Sequence, residues 1–414
     1  MLSGTGVADE AAVRKASRAV YIAFAGGGFA YASWASRIPQ VRAELRVTPG
    51  TLGLILLCGA IGSGTATPLS GLVVGRIGEA RAVVVMSLTS AAGLATIAVG
   101  YSRVAAVATG LFFFGFGTGA WDVAMNVQGA AVERGLGRAI MPKFHAGWSL
   151  GTVAGAGAGA AVVALGVPVT AHLLAVALAI AVAVPACTRG FLPFGSARPR
   201  RSGDPGHAPM RGQLRAWTER RTLLIGLFVL CMAFSEGTGN DWLSLSVIDG
   251  YHIAAFVGDL VFAAFLAAMT AGRWFGPRLI DRYGRVMALR ASAATALAGL
   301  LLVDFGVVLP VAAAGAVLMG LGTALGFPVG MSAAADDPRY AAARVSTTAS
   351  LGYLAFLAGP PAIGFLADQV GVLRSITVAG ILIAASLVLA RFTAPLRQPA
   401  QRATGHPARS PHPG

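Results

Sequence analysis

The sequence predicts an all-α polytopic membrane protein of about twelve transmembrane helices, arranged as two pseudo-symmetric six-helix bundles. Three observations carry that reading. Hydrophobic residues make up 56% of the 414 and charged residues 12%, and that charged share is about half what a soluble globular chain carries. Apolar stretches of roughly 20 residues, enough to cross a hydrocarbon core about 30 Å thick, recur along the chain. A set of short motifs also returns in the same order 201 to 208 residues later.

The spans are expected at 18–36, 50–72, 82–101, 104–131, 141–165, 168–188, 221–246, 254–276, 286–307, 309–333, 342–367 and 371–393. Backbone polar groups find no water in lipid, so each span must satisfy its own hydrogen bonds as a helix. The formal net charge of +15 does not mark a nucleic-acid binder. Counted by alternate sides, 27 of the 32 Lys and Arg fall on the side holding both termini, and only Arg37, Arg42, Arg46, Arg103 and Arg374 fall on the other. The positive-inside rule therefore puts both termini in the cytoplasm of a multi-pass protein of the cell membrane. Residues 1–17 contain Asp9, Glu10, Arg14 and Lys15 and no apolar core, which argues against a cleaved signal. Cys58, Cys187 and Cys231 lie in or beside apolar spans without metal-ligand spacing, so neither metal nor cofactor is expected.

The repeat divides the chain. Trp34 matches Trp242, Arg76-x-Gly78 matches Arg282-x-Gly284, GFGT at 115–118 matches GLGT at 320–323, and SLG at 149–151 matches SLG at 350–352. The resulting domains are an N-terminal arm (1–17), a first bundle (18–189), a linker (190–220), a second bundle (221–393) and a tail (394–414). Pro193, Pro199, Pro205 and Pro209 with Arg198, Arg200, Arg201, Arg211 and Arg215 give the linker a composition that cannot bury a core.

Polar residues inside spans mark candidate sites, because an ionisable group at membrane depth is costly. In the fourth span Gly115, Gly119, Asp122, Asn126, Gly129 and Glu133 recur every three or four residues and share one helix face. Gln128 falls off that face. Such a face either lines a path for solute and proton or joins helices by hydrogen bonds. His145, early in the fifth span, offers a group that titrates near neutrality. In the seventh, FSEGTGNDWLSL holds Glu236, Asn240 and Asp241 where Gly237 and Gly239 loosen the helix. Trp34 and Trp242, paired by the repeat, either stack on a ligand ring or anchor at the outer interface. Asp259 and Asp304 fall near the outer ends of their spans and are not taken as site residues, and Asp241 either lines the path or is solvated at its outer mouth. Glu133, Arg134 and Arg138 surround the turn between the fourth and fifth spans. Charges there either pair across the bundles in one conformation or are solvated.

Two parallel six-helix repeats joined by a linker resemble the major facilitator superfamily. Its loop signature is present as Asp281-Arg282-Tyr283-Gly284-Arg285 and survives in part as Gly71, Arg76 and Gly78, with Gly75 in place of the aspartate. The resemblance implies a gating role for Arg76, Asp281, Arg282 and Arg285. The runs WDVAMNVQG, ERGLGR and FHAGWSLG are similar to the YbjJ-like permeases and, more distantly, to fucose-permease-type sugar:proton symporters. That likeness implies that Asp122, Asn126 and His145 face a small-molecule substrate and a coupling proton. The aspartate of that type's first helix is absent, with Ala35 at about its position. A monomeric secondary transporter is therefore expected. The alternatives are proton-driven export of hydrophobic compounds, against which Thr152 stands where that class has proline, and a membrane sensor. Zinc-protease and serine-hydrolase motifs are missing, so the chain is not read as an enzyme.

Overall fold

In the computed structural model, residues 10–137, 140–193, 215–337 and 340–396 are described. Among them all regular structure is helical. The first six crossings are α1 (Glu10–Ala35), α3 (Pro49–Ile77), α4 (Glu79–Gly100), α5 (Val104–Leu136), α6 (Met141–Ala164) and α7 (Val169–Thr188), with a short α2 (Ile38–Leu45) lying between α1 and α3. The last six are α8 (Arg220–Tyr251), α9 (Ala255–Tyr283), α10 (Arg285–Phe305), α11 and α12 (Leu309–Thr323 and Gly326–Ala334), α13 (Ala341–Val370), and α14 and α15 (Val372–Ser375 and Thr377–Leu389) followed by a 3₁₀ turn at Ala390–Thr393.

Eleven of these crossings are both long and apolar enough to span a membrane. The expected twelfth, α1, has the length but not the hydropathy: 26 residues make about 39 Å of helix, yet they include Arg14, Lys15, Arg18, three consecutive glycines and several polar residues. This helix also starts eight residues before the span expected at 18. Its first turns are amphipathic, with Val13 and Ala16 buried while Arg14 and Lys15 are exposed. The linker at 190–220 and the tail from 394 fall largely outside the described residues.

The repeat is visible in how helices touch. Within the first six spans α4 lies on α5 with Gly93 against Gly110: a side chain on Gly93 would meet the Gly110 carbonyl at 2.6 Å. Some 206 residues later α10 lies on α11 with Gly299 against Gly315 at 2.5 Å, the same arrangement. Only residues without a Cβ allow backbones that close.

Between the first and last six spans, α3 packs on α13 and α6 on α9. On the side opposite the termini this seam is shut. A Cβ on Gly53 would lie 2.4 Å from the Pro360 carbonyl, and one on Gly364 would lie 2.4 Å from the Pro49 carbonyl. Arg42 pairs with Asp249 at 2.6 Å, and the Asp368 carboxylate accepts from the Gly50 amide at 3.1 Å and the Thr48 hydroxyl at 3.3 Å.

Candidate transport site

Asp122 and Asn126 sit one turn apart on α5, and the Asn126 amide donates to the Asp122 carboxylate at 3.2 Å and to its backbone carbonyl at 2.8 Å. Tyr353 of α13, from the opposite half, comes within electrostatic reach of Asp122. His145 on α6 packs edge-on against Phe24, ring centroids 5.1 Å apart, and feels the charge of Arg273. Arg273, on α9, grips Glu236 of α8 at 2.7 Å. Tyr31 on α1 lies close enough to Glu236 and Asp241 to feel both charges. Polar side chains thus meet across the seam in two groups, Asp122 with Tyr353 and His145, Arg273, Glu236, Asp241 and Tyr31.

Of the three acids Asp122, Glu236 and Asp241, Glu236 is paired with a guanidinium, that of Arg273. Among the described residues Asp241 has no hydrogen-bond or ionic partner, and Asn240 holds a buried side-chain oxygen with none. Arg273, Tyr31 and Tyr353 were not legible as site residues. An arginine near a helix end reads from sequence as a side chain reaching for water, and its partner is 37 residues away.

Trp34 and Trp242 belong to the apolar core, 4% and 1% exposed. In this conformation neither presents a face for stacking on a ligand or an edge at an outer interface. Gln128, off the polar stripe, is fully buried, and neither its amide nitrogen nor its oxygen has a partner among the described residues.

The residues assigned to gating divide. Glu133 does not reach across the seam; its carboxylate accepts from the amides of Ile140 and Met141 at 2.7 and 2.8 Å. The unsatisfied amides at the start of α6 attract a carboxylate more strongly than a distant cation does. Arg134 is exposed, and Arg138 lies outside the described residues. Arg76, Asp281 and Arg282 are exposed, with Arg282 stacked on Tyr283 at 5.3 Å. Arg285 binds Asp336 at 2.9 Å and joins a network in which Arg221 also holds Asp336 at 2.8 Å and Arg344 holds Glu219 at 2.6 Å. All of these pairs lie within the last six spans.

Asp259 and Asp304 lie near the ends of their helices and are buried. Asp259 is fully buried and accepts from Ser244 at 2.8 Å. Asp304, 1% exposed, is bound by Arg374 at 3.0 Å and by the Thr377 hydroxyl. Buried Arg37 donates to the His172 ring at 2.9 Å and to the Val167 carbonyl at 3.0 Å. An isolated charge is costly to bury, so each of these groups is held by specific donors or acceptors. No described group of three His, Cys, Asp or Glu residues is placed to hold a metal ion.

The fold is that of a multi-pass helical membrane protein with polar groups buried where its two halves meet, the architecture of membrane transporters. The family model described as Major Facilitator Superfamily matches residues 20–247 and 238–412, and the chain belongs to that superfamily. An uncharacterized transporter, y4wD, of Sinorhizobium fredii is 31% identical over 382 residues, covering 90% of this chain and 97% of that one. Among solved structures, the nucleoside transporter NupG superposes with a TM-score of 0.72 at 15% identity, over 92% of this chain and 98% of its own. The fucose:proton symporter FucP of E. coli superposes with a TM-score of 0.58 at 16% identity, again over 92% and 98%.

Proposed function

We propose that the protein is a secondary active transporter that carries a small polar solute, a sugar or related metabolite, by alternating access coupled to protons. The observation carrying this reading is the placement of Asp122 inside a span. Its carboxylate is hydrogen-bonded, among the described residues, only by Asn126, within reach of a tyrosine from the opposite half. A carboxylate with one weak internal partner is free to exchange that interaction for a proton or a substrate hydroxyl, and a purely structural hydrogen bond needs no charge.

In this scheme Asp122 carries the proton, Asn126 and His145 meet the substrate from the first six spans, and Glu236, Asn240 and Asp241 meet it from the last six. Arg273 positions Glu236. Because proton and substrate both bias the inward/outward equilibrium, binding one alters the affinity for the other. The termini and the linker face the cytoplasm, and the closed seam faces outward. The likeness to a nucleoside transporter, NupG, and a fucose:proton symporter, FucP, favours a hydroxylated solute over a hydrophobic one.

The test begins with a thermal-shift screen of sugars, nucleosides and related metabolites, since a ligand stabilises the state that binds it. Hits are then followed into proteoliposomes under an imposed pH gradient. Asp122→Asn is expected to abolish uphill accumulation while leaving the protein folded and able to exchange substrate. Accumulation at the wild-type level in this variant would assign Asp122 to structure and remove the basis of the proposal.

A further inference from the structure

The start of α1 crosses the end of α7 where a side chain on Gly190 would touch the Ala19 methyl at 3.1 Å. That close crossing gathers Arg14, Lys15 and Arg18 from α1 and Arg189 from beyond α7 around a groove of about 400 Å³. Arg14 is paired with Glu10 at 2.5 Å. Among the described residues Lys15, Arg18 and Arg189 have neither a hydrogen-bonded nor an ionic partner, and all three are exposed. The four cations lining one groove repel one another, and an anion bound among them relieves that repulsion.

The groove's position says which anion. It lies on the side that the arginine bias assigns to the cytoplasm, where the leaflet carries anionic lipid and basic pockets between transmembrane helices take phosphate headgroups. One turn deeper along α1 the lining continues as Ile22, 48% exposed. An apolar side chain directly below a cationic rim matches a molecule with a charged head and a hydrocarbon tail. A free metabolite would leave Ile22 uncovered.

We propose that this groove binds a phosphodiester anion, supplied by the headgroup of an anionic phospholipid whose acyl chain lies along Ile22. The site is separate from the transport site and does not depend on the transported solute.

The test uses the full chain in neutral detergent, titrated with dioleoylphosphatidylglycerol, dioleoylphosphatidylcholine, glycerophosphoglycerol or inorganic phosphate, with bound ligand counted by native mass spectrometry. Each surface cation near an anionic lipid is worth about fivefold in affinity. Arg18→Gln with Arg189→Gln is therefore expected to weaken phosphatidylglycerol binding about 25-fold, with phosphatidylcholine unaffected. Arg278→Gln with Arg391→Gln, a matched loss of two exposed cations elsewhere on that side, should leave it unchanged. Equal weakening by both double variants, or none by the first, would overturn the proposal. Binding of inorganic phosphate as tight as that of the lipid would overturn the lipid as occupant.

A second readout keeps all the cations in place. Cys187 lines the groove, so in a Cys58→Ser, Cys231→Ser background phosphatidylglycerol is expected to slow its maleimide labelling severalfold while phosphatidylcholine does not. Equal labelling rates with the two lipids would place the lipid elsewhere.

Discussion

Replacing Gly53 by alanine tests whether the shut seam is a gate or a fixed joint. The added methyl would sit 2.4 Å from the Pro360 carbonyl oxygen and 2.9 Å from the Pro361 Cα, against an ordinary carbon–oxygen contact of about 3.3 Å or more. Neither obstacle is a flexible side-chain tip, so α3 and α13 must part by about 0.9 Å, and overpacking of that kind costs about 1–3 kcal/mol. Because this contact joins the two halves on the side opposite the termini, the cost falls on the conformation closed there and is absent when that side opens. The equilibrium is expected to move toward the open form by about 5- to 150-fold. Gly93→Ala is the matched control. Its methyl would meet the Phe114 amide nitrogen at 2.4 Å, but α4 and α5 belong to the same half, so the melting temperature falls while the conformational balance stays put. Spin labels at Glu44 and Val370, both exposed on that side, report the separation by pulsed electron resonance after the three cysteines are replaced. A distance distribution unchanged by Gly53→Ala, alongside a lower melting temperature, would show that the seam does not open.

Other outcomes follow from the charged groups. Glu236→Gln frees Arg273 and is expected to shift the pH dependence of ligand binding; combined with Asp122→Asn it should be non-additive by more than about 0.5 kcal/mol, and additive effects in calorimetric titrations would confine the proton path to the first six spans. Glu133→Ala removes the acceptor of two amides at the start of α6 and should cost about 1–2 kcal/mol of stability, measured by thermal unfolding; an unchanged melting temperature would mean water replaces the cap. Burial works to raise the pKa of Glu219, but hydrogen bonds from Arg344 and Thr222 outweigh it and hold the group below the usual glutamate range. A depressed carboxylate stabilises the fold above its unfolded pKa of about 4.3 and loses that contribution as pH falls through the folded value. Glu219→Gln is accordingly expected to flatten the acid limb of the stability curve, and an acid limb identical to wild type would remove Glu219 from the account.

Hydropathy and spacing made the spans legible, because a helix in lipid must be long and apolar whatever its neighbours are. The α5 stripe was legible for a related reason, since Asp122 and Asn126 share a face through a local period that the sequence carries directly. Glu236 was visible as an acid in a span, but its partner was not. Arg273, Tyr31 and Tyr353 join the locus through tertiary packing between spans, and their sequence neighbourhoods look like ordinary helix interior or helix end. The partner of Asp259 was hidden for the same reason. Nothing near it in sequence reveals that α8 supplies Ser244, 15 residues earlier, as its donor. Glu133 is a third case: the sequence leaves it either a partner across the bundles or a solvated charge, and in this conformation it caps the amides of the helix that follows.

The cap on α3 has a consequence for local order. Thr48, the residue just before the helix, supplies a side-chain oxygen to the Thr51 amide at 3.3 Å, but the Gly50 amide is satisfied by Asp368, which belongs to the other half. Half of this helix start is therefore borrowed. If the halves separate, Gly50 surrenders its acceptor to water and the first turn of α3 loosens, so the rate at which that one amide swaps hydrogen for deuterium would be a clock for opening on the side opposite the termini, readable without any label.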